Sequence, residues 1–385
     1  MIARIRPESR YTHLFQSLFA GAGYKNALEE ELKAYFGVKE ILLTHGGRIG
    51  LYYLLKALPQ KKVYLPAYTC WAVPDAIKRA GKELEYVDIK LDDYNMDIEK
   101  LMDCVTPGSV ILATHQFGIP CDIEAFKTIA KDRNCLVLED NAAGFGSTFK
   151  EQKTGSFTPA SIISFEFSKT LTCGQGGAVL FNDRELFLKV KEIYERETKA
   201  PRYPETIGHL SSLAGYLLIT NNNFYDVTHW LFDKTKGTTT GYPPPNPDET
   251  SAHYRSGFDN VRAKLTHYGM KDIDQVISRR TEIAKFYLDE LAACEKIALP
   301  DYPDYKLPVF MRFPVRVKDI RKEDFYTKCV KKGVDLAFTF SYSCEPDIRR
   351  APHSHQAAET VLNLPVYSKL TDNDLQKIKE VILTA

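Results

Sequence analysis

The sequence predicts an α/β protein: a large domain built on a mainly parallel seven-stranded sheet, followed by a smaller α+β domain. Three observations carry that expectation. Short apolar runs alternate with helical patterns through the first half of the chain, the pattern changes between residues 200 and 250, and a second, shorter α+β pattern follows. A chain of 385 residues is too long for one small core and fits a large domain with a smaller one. The expected division is 1–250 and 251–385, with 200–250 an atypical helical and loop insertion in the large domain.

The apolar runs fall at 41–45, 62–67, 84–89, 109–115, 135–141, 160–167 and 176–182. They are rich in Val, Ile, Leu and aromatic residues, as strands covered on both faces should be. Helix-like stretches at 48–57, 71–80, 122–132 and 184–197 separate several of them. Strand–helix alternation means βαβ units and a parallel sheet. In open sheets of that kind ligands sit at the carboxyl ends of the strands. The stretch 206–225 has no Asp, Glu, Lys or Arg, yet holds His209, several Ser and Thr, and Asn221, Asn222 and Asn223. It is too polar to span a membrane and is expected to form a buried or subunit-facing helix. The stretch 234–249, with Gly241, Tyr242, Pro243, Pro244 and Pro245, reads as a loop. Helical periodicity returns at 272–294, followed by a strand at 309–317, a helix at 322–332, a strand at 335–339 and a closing helix at 372–383.

Composition narrows the function classes. Hydrophobic residues make up 44% and charged residues 26%, as in a well-cored globular protein. Lys plus Arg (51) nearly balances Asp plus Glu (50), which gives no electrostatic reason to expect nucleic acid or an anionic membrane as partner. The eight cysteines include no C-x-x-C pair, so no zinc or redox site is expected. Free thiols fit a reducing compartment, and the opening MIARIRPESRYTH lacks the apolar core of a secretory signal. A cytoplasmic protein without a membrane span is the expectation.

Four features at strand ends point to pyridoxal 5′-phosphate. That cofactor requires a lysine to form an imine, an acid beside the pyridine nitrogen, a phosphate cradle and a flat side chain over the ring. Lys169 follows a strand in Ser164–Phe165–Glu166–Phe167–Ser168–Lys169, where desolvation eases loss of its proton. Asp140 ends the apolar run that closes with Glu139–Asp140. Thr44–His45–Gly46–Gly47–Arg48 lies between a strand and a helix, so glycine backbone and a helix N-terminus can meet a phosphate, with Arg48 adding a charge-assisted contact. It is neither a Walker loop nor a dinucleotide fingerprint. Ser164 is a second phosphate donor candidate. Trp71 is the stacking candidate, with Tyr68 the alternative. Each residue has a plainer reading alone: a surface lysine, a helix-capping Asp, a turn, a core aromatic.

Together these segments resemble the DegT/DnrJ/StrS family of pyridoxal-phosphate-dependent aminotransferases, many of which act on nucleotide-linked keto-sugars. Ser164-Phe-x-x-x-Lys169 resembles the family's lysine motif, and Gly174-Gln-Gly-Gly the glycine turn after it. Glu139–Asp140–Asn141–Ala142–Ala143, Pro66-x-Tyr-Thr, His115–Gln116–Phe117–Gly118–Ile119–Pro120, Asn260–Val261–Arg262 and Leu364–Pro365–Val366 match further family segments in order. The resemblance implies the aspartate aminotransferase fold (type I) and a homodimer with shared active sites. It implies Lys169 as imine lysine and proton shuttle, and Asp140 as partner of the pyridine nitrogen. Gly47, Arg48 and Ser164 would hold the phosphate, and Asn260 would reach over from the other subunit. Three positions depart from the pattern: Ala143 replaces a Gln, Phe145 replaces a His, and Cys70 stands where the stacking aromatic usually follows the Thr. The expected function is amino transfer, with glutamate as donor and a keto-sugar as acceptor. The alternatives are a different pyridoxal-phosphate reaction on an amino acid, or a non-catalytic relative serving as a binding module.

Overall fold

The structure, a computed structural model, describes residues 1–236 and 252–385. Its centre is a seven-stranded sheet of β1 (Glu40–Thr44), β2 (Lys62–Pro66), β3 (Glu83–Val87), β4 (Val110–Thr114), β5 (Leu136–Asp140), β6 (Ala160–Ser164) and β7 (Gly177–Phe181). The strand order is β1-β7-β6-β5-β4-β2-β3. Strand β7 runs antiparallel to both neighbours, and the other pairings are parallel. All seven apolar runs are therefore strands of one sheet, each ending one to three residues before its expected end, with β1 and β3 starting one residue early. Residues such as His45 and Ala67 leave the ladder to begin the loops at the sheet's carboxyl rim. Strands β4 and β7 are buried along their whole length, which explains their unbroken apolar sequence. The order reverses between β2 and β4, and such a switch point opens a crevice at the strand ends.

Helices Gly47–Lys56, Ala72–Arg79, Ile123–Asp132 and Arg184–Glu197 match the predicted ones. Asp122 and Asp183 cap two of them, accepting from the Ala125 and Leu186 N–H groups at 3.2 and 3.0 Å. The helix expected at 272–294 starts earlier and spans Asn260–Glu290, because Asp259 caps it by accepting the Arg262 N–H at 2.9 Å.

The smaller sheet has the order β8 (Ile297–Ala298), β9 (Phe313–Val317), β10 (Val361–Leu364), with antiparallel pairs. The strand expected at 309–317 begins only at Phe313. Upstream, the Val309 N–H is taken by Ser147 Oγ at 2.8 Å and the Met311 N–H by the Phe117 carbonyl at 3.0 Å, which ties this stretch to the large sheet's rim. The strand expected at 335–339 reduces to a single bridge between Ala337 and Asn363. Asp335 is drawn instead into a buried knot, accepting from Tyr225 Oη at 2.6 Å, Tyr326 Oη at 3.0 Å and Arg4 Nε at 2.6 Å. Helices Lys322–Lys331 and Asp372–Thr384 occupy the predicted places.

The uncharged stretch forms helix Tyr203–Ile219, and after a turn the helix Tyr225–Lys236 begins. Only one face is buried: Thr206, Leu210, Leu213 and Leu217 point inward, while Leu218 is exposed. The helix packs on the lysine-bearing turn, where Tyr216 stacks on Phe167 with ring centroids 4.1 Å apart. The expected loop at 234–249 lies, from residue 237 onward, outside the described residues. Among the described residues no helix is long and apolar enough to cross a membrane.

Candidate active site

Lys169 and Asp140 meet at the carboxyl rim of the sheet. Asp140 is the last residue of β5, in register with Thr114 of β4 and Ile162 of β6. It is only 4% exposed, and its Oδ1 accepts the Ala142 N–H at 3.0 Å. Burial pushes its carboxyl above the ordinary value, while the Ala142 N–H, the Lys169 charge and His115 pull it back. Lys169 sits on the turn after β6, where its N–H donates to the Glu166 carbonyl at 2.9 Å and its Nζ lies 3.2 Å from Met311 Sδ. Burial holds the Lys169 ammonium below the usual lysine value, against the opposing pull of Glu166, Cys70 and Asp140.

Glu139 and Asp140 have different tasks because consecutive strand residues face opposite sides. Glu139 is fully buried and accepts from Gly155 N at 2.6 Å, Phe157 N at 2.9 Å, Thr158 Oγ1 at 3.1 Å and His115 Nε2 at 3.1 Å. The Cys121 N–H donates to His115 Nδ1 at 3.1 Å, so the ring proton sits on Nε2, directed at Glu139. This network fixes the loop after β5 and leaves Asp140 as the carboxylate of the rim.

The Gly46–Gly47 turn starts helix Gly47–Lys56 without a side-chain cap; the Ile49 and Gly50 N–H groups donate to the Gly46 carbonyl at 3.0 Å, while the Gly47 and Arg48 N–H groups face the turn for an anion. A Cβ at Gly47 would lie 3.1 Å from the Ile163 carbonyl oxygen and 3.2 Å from Ser164 Cβ, which places Ser164 against the turn. Arg48 leaves the helix start between two rings, 5.0 Å from that of Trp71 and 5.4 Å from that of Tyr254, with Nη1 3.6 Å from Asp75. Arg48 Nη1 is buried without a hydrogen-bond partner, the mark of a donor with capacity for a ligand oxygen. The cradle, its arginine and the rim residues fit a phosphate-bearing cofactor.

The aromatic segment after β2 divides its residues between two places. Trp71 lies beside Arg48, and its N–H donates to Tyr342 Oη at 2.9 Å. Cys70 is the residue of this segment coupled to Lys169; burial is the first cause of its raised thiol value, with Lys169 opposing and Asp140 adding to the rise. Tyr68 is fully buried, and its hydroxyl donates to the Thr339 carbonyl at 3.2 Å. Of the other departures, Phe145 is absorbed into the core, stacked on Tyr35 at 5.0 Å and edge-on to Phe36 at 5.3 Å. Asn260 stands apart: its Oδ1 accepts the Lys25 N–H at 3.1 Å, with no hydrogen bond to the residues around Lys169 among the described residues.

Sequence reasoning passed over Glu166, Cys70 and Met311 as neighbours of Lys169, and a relay beside the glycine turn. In that relay Arg262 Nη1 donates to His45 Nδ1 at 3.2 Å, so His45 carries its proton on Nε2, which faces His253 Nδ1 at 3.3 Å. Burial, then the Arg262 charge, lowers His45 to about 2, so it stays neutral. Glu166 was legible as a charge inside an otherwise apolar motif; Met311 arrives from a distant loop and left no signal.

The sequence profile of the DegT/DnrJ/EryC1/StrS aminotransferase family matches residues 12–227 and 232–383. The chain is 35% identical over 168 residues to GDP-perosamine synthase of Escherichia coli O157:H7, a match covering 43% of this chain and 46% of that protein. Its fold matches sugar aminotransferase CalS13 from Micromonospora echinospora with a TM-score of 0.77 at 19% identity, over 100% of both chains. It also matches NtdA from Bacillus subtilis, solved with bound cofactor PMP, with a TM-score of 0.75 at 20% identity, over 98% of this chain and 82% of that one. These two structural likenesses show the fold.

Proposed function

Since the chain belongs to the DegT/DnrJ/EryC1/StrS aminotransferase family, and is thereby a pyridoxal-phosphate-dependent aminotransferase, we propose that it moves an amino group from glutamate to a nucleotide-linked keto-sugar at Lys169. The observation that carries this reading is the meeting of one buried carboxylate, Asp140, with one desolvated amine, Lys169, at the rim beside a capless glycine turn. The partial match to a GDP-perosamine synthase supports a nucleotide-linked sugar as acceptor.

Pyridoxal phosphate, when bound, supplies an electron sink that lets an amino group leave one carbon skeleton and join another. Gly47, Arg48 and Ser164 would hold its phosphate, Asp140 its pyridine nitrogen, and Trp71 would stand as an aromatic wall. Asn260 would serve the site of a second copy of this chain, in a homodimer; its separation from Lys169 within one chain supports that role. The division into 1–250 and 251–385 belongs to the same reading, supported by the separate small sheet. Lys169 would do the proton work: its Nζ, whose charged form burial disfavours, would carry a proton between the substrate carbon and the cofactor within each half-reaction, in opposite directions in the two halves. Met311 keeps an apolar sulfur against Nζ, so water does not solvate that face.

The test is 2-oxoglutarate formation from glutamate with the purified full chain and a panel of keto-sugars, free and nucleotide-linked. Product that appears only with a nucleotide-linked acceptor supports the proposal. Equal turnover with free sugars, or none with any sugar, overturns it.

A further inference from the structure

We propose that Met311 is a positioning residue for the reactive amine: its thioether sulfur accepts a hydrogen from Lys169 Nζ and holds the amine in place whenever it is not joined to the cofactor. The inference rests on the reading of Lys169 as the lysine that carries the cofactor.

The contact is direct. Nζ donates to Met311 Sδ at 3.2 Å, and among the described residues it has no other hydrogen bond and no ion pair. Met311 is buried, so little water competes for the sulfur. Its backbone is gripped on both sides. The Met311 N–H donates to the Phe117 carbonyl at 3.0 Å, and the Met311 carbonyl accepts from Arg280 Nη1 at 3.3 Å. Arg280 lies buried in helix Asn260–Glu290, paired at 3.0 Å with the buried Glu8. Glu8 in turn accepts the Ser368 N–H at 2.8 Å and the Ser368 hydroxyl at 2.6 Å. At the other grip, Phe117 holds a left-handed φ of 56°. Gly118 follows at φ 99°, where a Cβ would lie 2.3 Å from the Val309 carbonyl oxygen. Backbone strain of this kind persists only where the surroundings over-determine it. The loop after β4, the long helix and the N-terminal segment thus converge to fix one sulfur against one amine.

A thioether suits this task. It is a weak acceptor that donates nothing, so it orients the amine without locking it as an ammonium, as a carboxylate would. Its unbranched side chain also adapts to a moving neighbour. The free amine has hydrogens to give. When Nζ joins the cofactor's carbonyl carbon, both hydrogens of the neutral amine leave with the departing water, and nothing remains for the sulfur to accept. The contact therefore favours the free amine over the joined state. It eases the release of Lys169 when an amino donor takes its place, and it keeps Nζ at the site for proton transfer.

Met311→Leu keeps the volume and removes the acceptor. Met311→Gln keeps the reach and offers an oxygen, a stronger acceptor. The full chain is titrated with pyridoxal phosphate, which takes Nζ, and with pyridoxamine phosphate, which leaves the amine free; circular dichroism checks the fold. A weak neutral hydrogen bond is worth roughly 2- to 5-fold in an equilibrium. Met311→Leu is therefore expected to bind pyridoxal phosphate roughly 2- to 5-fold tighter than wild type, with pyridoxamine phosphate affinity unchanged. Met311→Gln is expected to bind pyridoxal phosphate more weakly, again with pyridoxamine phosphate unchanged. Either variant suffices where the other does not fold. Unchanged pyridoxal phosphate affinity in a folded variant overturns the inference. Equal weakening of both ligands also overturns it, because loss of packing alone would act on both. Attachment of pyridoxal phosphate to a different lysine, mapped by mass spectrometry, overturns the reading of Lys169 itself.

Discussion

The glycine turn can be tested by adding one methyl group at each of three positions. At Gly47 the new Cβ would meet the Ile163 carbonyl oxygen at 3.1 Å and Ser164 Cβ at 3.2 Å, so the helix start must lift from β6 by a few tenths of an ångström. At Gly177 it would meet Gly47 N at 2.4 Å and the Gly46 carbonyl carbon at 2.7 Å, backbone atoms that no rotamer change can move. At Gly46 it would meet nothing within 4 Å, and φ of −174° is extended backbone that alanine adopts freely. Overpacking of this kind costs about 1–3 kcal/mol. Tenfold in affinity corresponds to about 1.4 kcal/mol, so a distortion carried by the loaded state weakens pyridoxal phosphate binding roughly 5- to 150-fold. Gly177→Ala should lie at or beyond the upper end, Gly47→Ala within the range, and Gly46→Ala near wild type. Titration of the full chain with pyridoxal phosphate, followed by absorbance, reads the affinities, and circular dichroism checks the fold. Wild-type affinity in folded Gly47→Ala and Gly177→Ala would refute the placement of the cradle.

Further outcomes follow from other contacts. Glu139→Gln turns one of four converging acceptor contacts into a donor facing donors, so it should destabilise the chain by about 2–4 kcal/mol in urea titration; a loss under 0.5 kcal/mol would show that the network is not needed. Tyr216→Ala removes a stacked ring from the lysine turn and should cost about 0.5–1.5 kcal/mol beyond the lost burial, with faster amide exchange across 165–176; unchanged exchange there would separate the helix from the turn. His45 is held neutral at about 2, far below its unfolded value near 6.5, so the unfolded chain binds the extra proton as pH falls through 6.5. Stability should drop with falling pH in that range, and His45→Gln should remove about 1.4 kcal/mol per pH unit from the slope; an unaltered slope contradicts the neutral assignment.

Much of the fold was legible because burial on both faces leaves unbroken apolar strands, as in β4 and β7. Helix starts were legible where an aspartate caps them, as at Asp122 and Asp183. Extended stretches failed where side-chain networks override local pattern: Asp335 trades a strand for a buried knot, and Val309 answers to Ser147 rather than to β10. Within the site, Asp140 was legible as the acidic end of an apolar run and Lys169 as a lysine on the turn just after one. The segment after β2 was harder, because a single residue of phase decides which side chain faces the rim. Trp71 already has helical φ and ψ of −51° and −24°, and its ring lies beside Arg48, while Cys70, one residue earlier, acts on Lys169. Met311 comes from the stretch before β9, 142 residues from Lys169, and only tertiary packing brings its sulfur to Nζ.

The most direct measurement is borohydride reduction of the cofactor-loaded full chain followed by peptide mapping. A stable mass gain on the peptide bearing Lys169, absent from Lys169→Ala, is the predicted result. The same gain on a different lysine, or its survival in Lys169→Ala, would contradict the site described here.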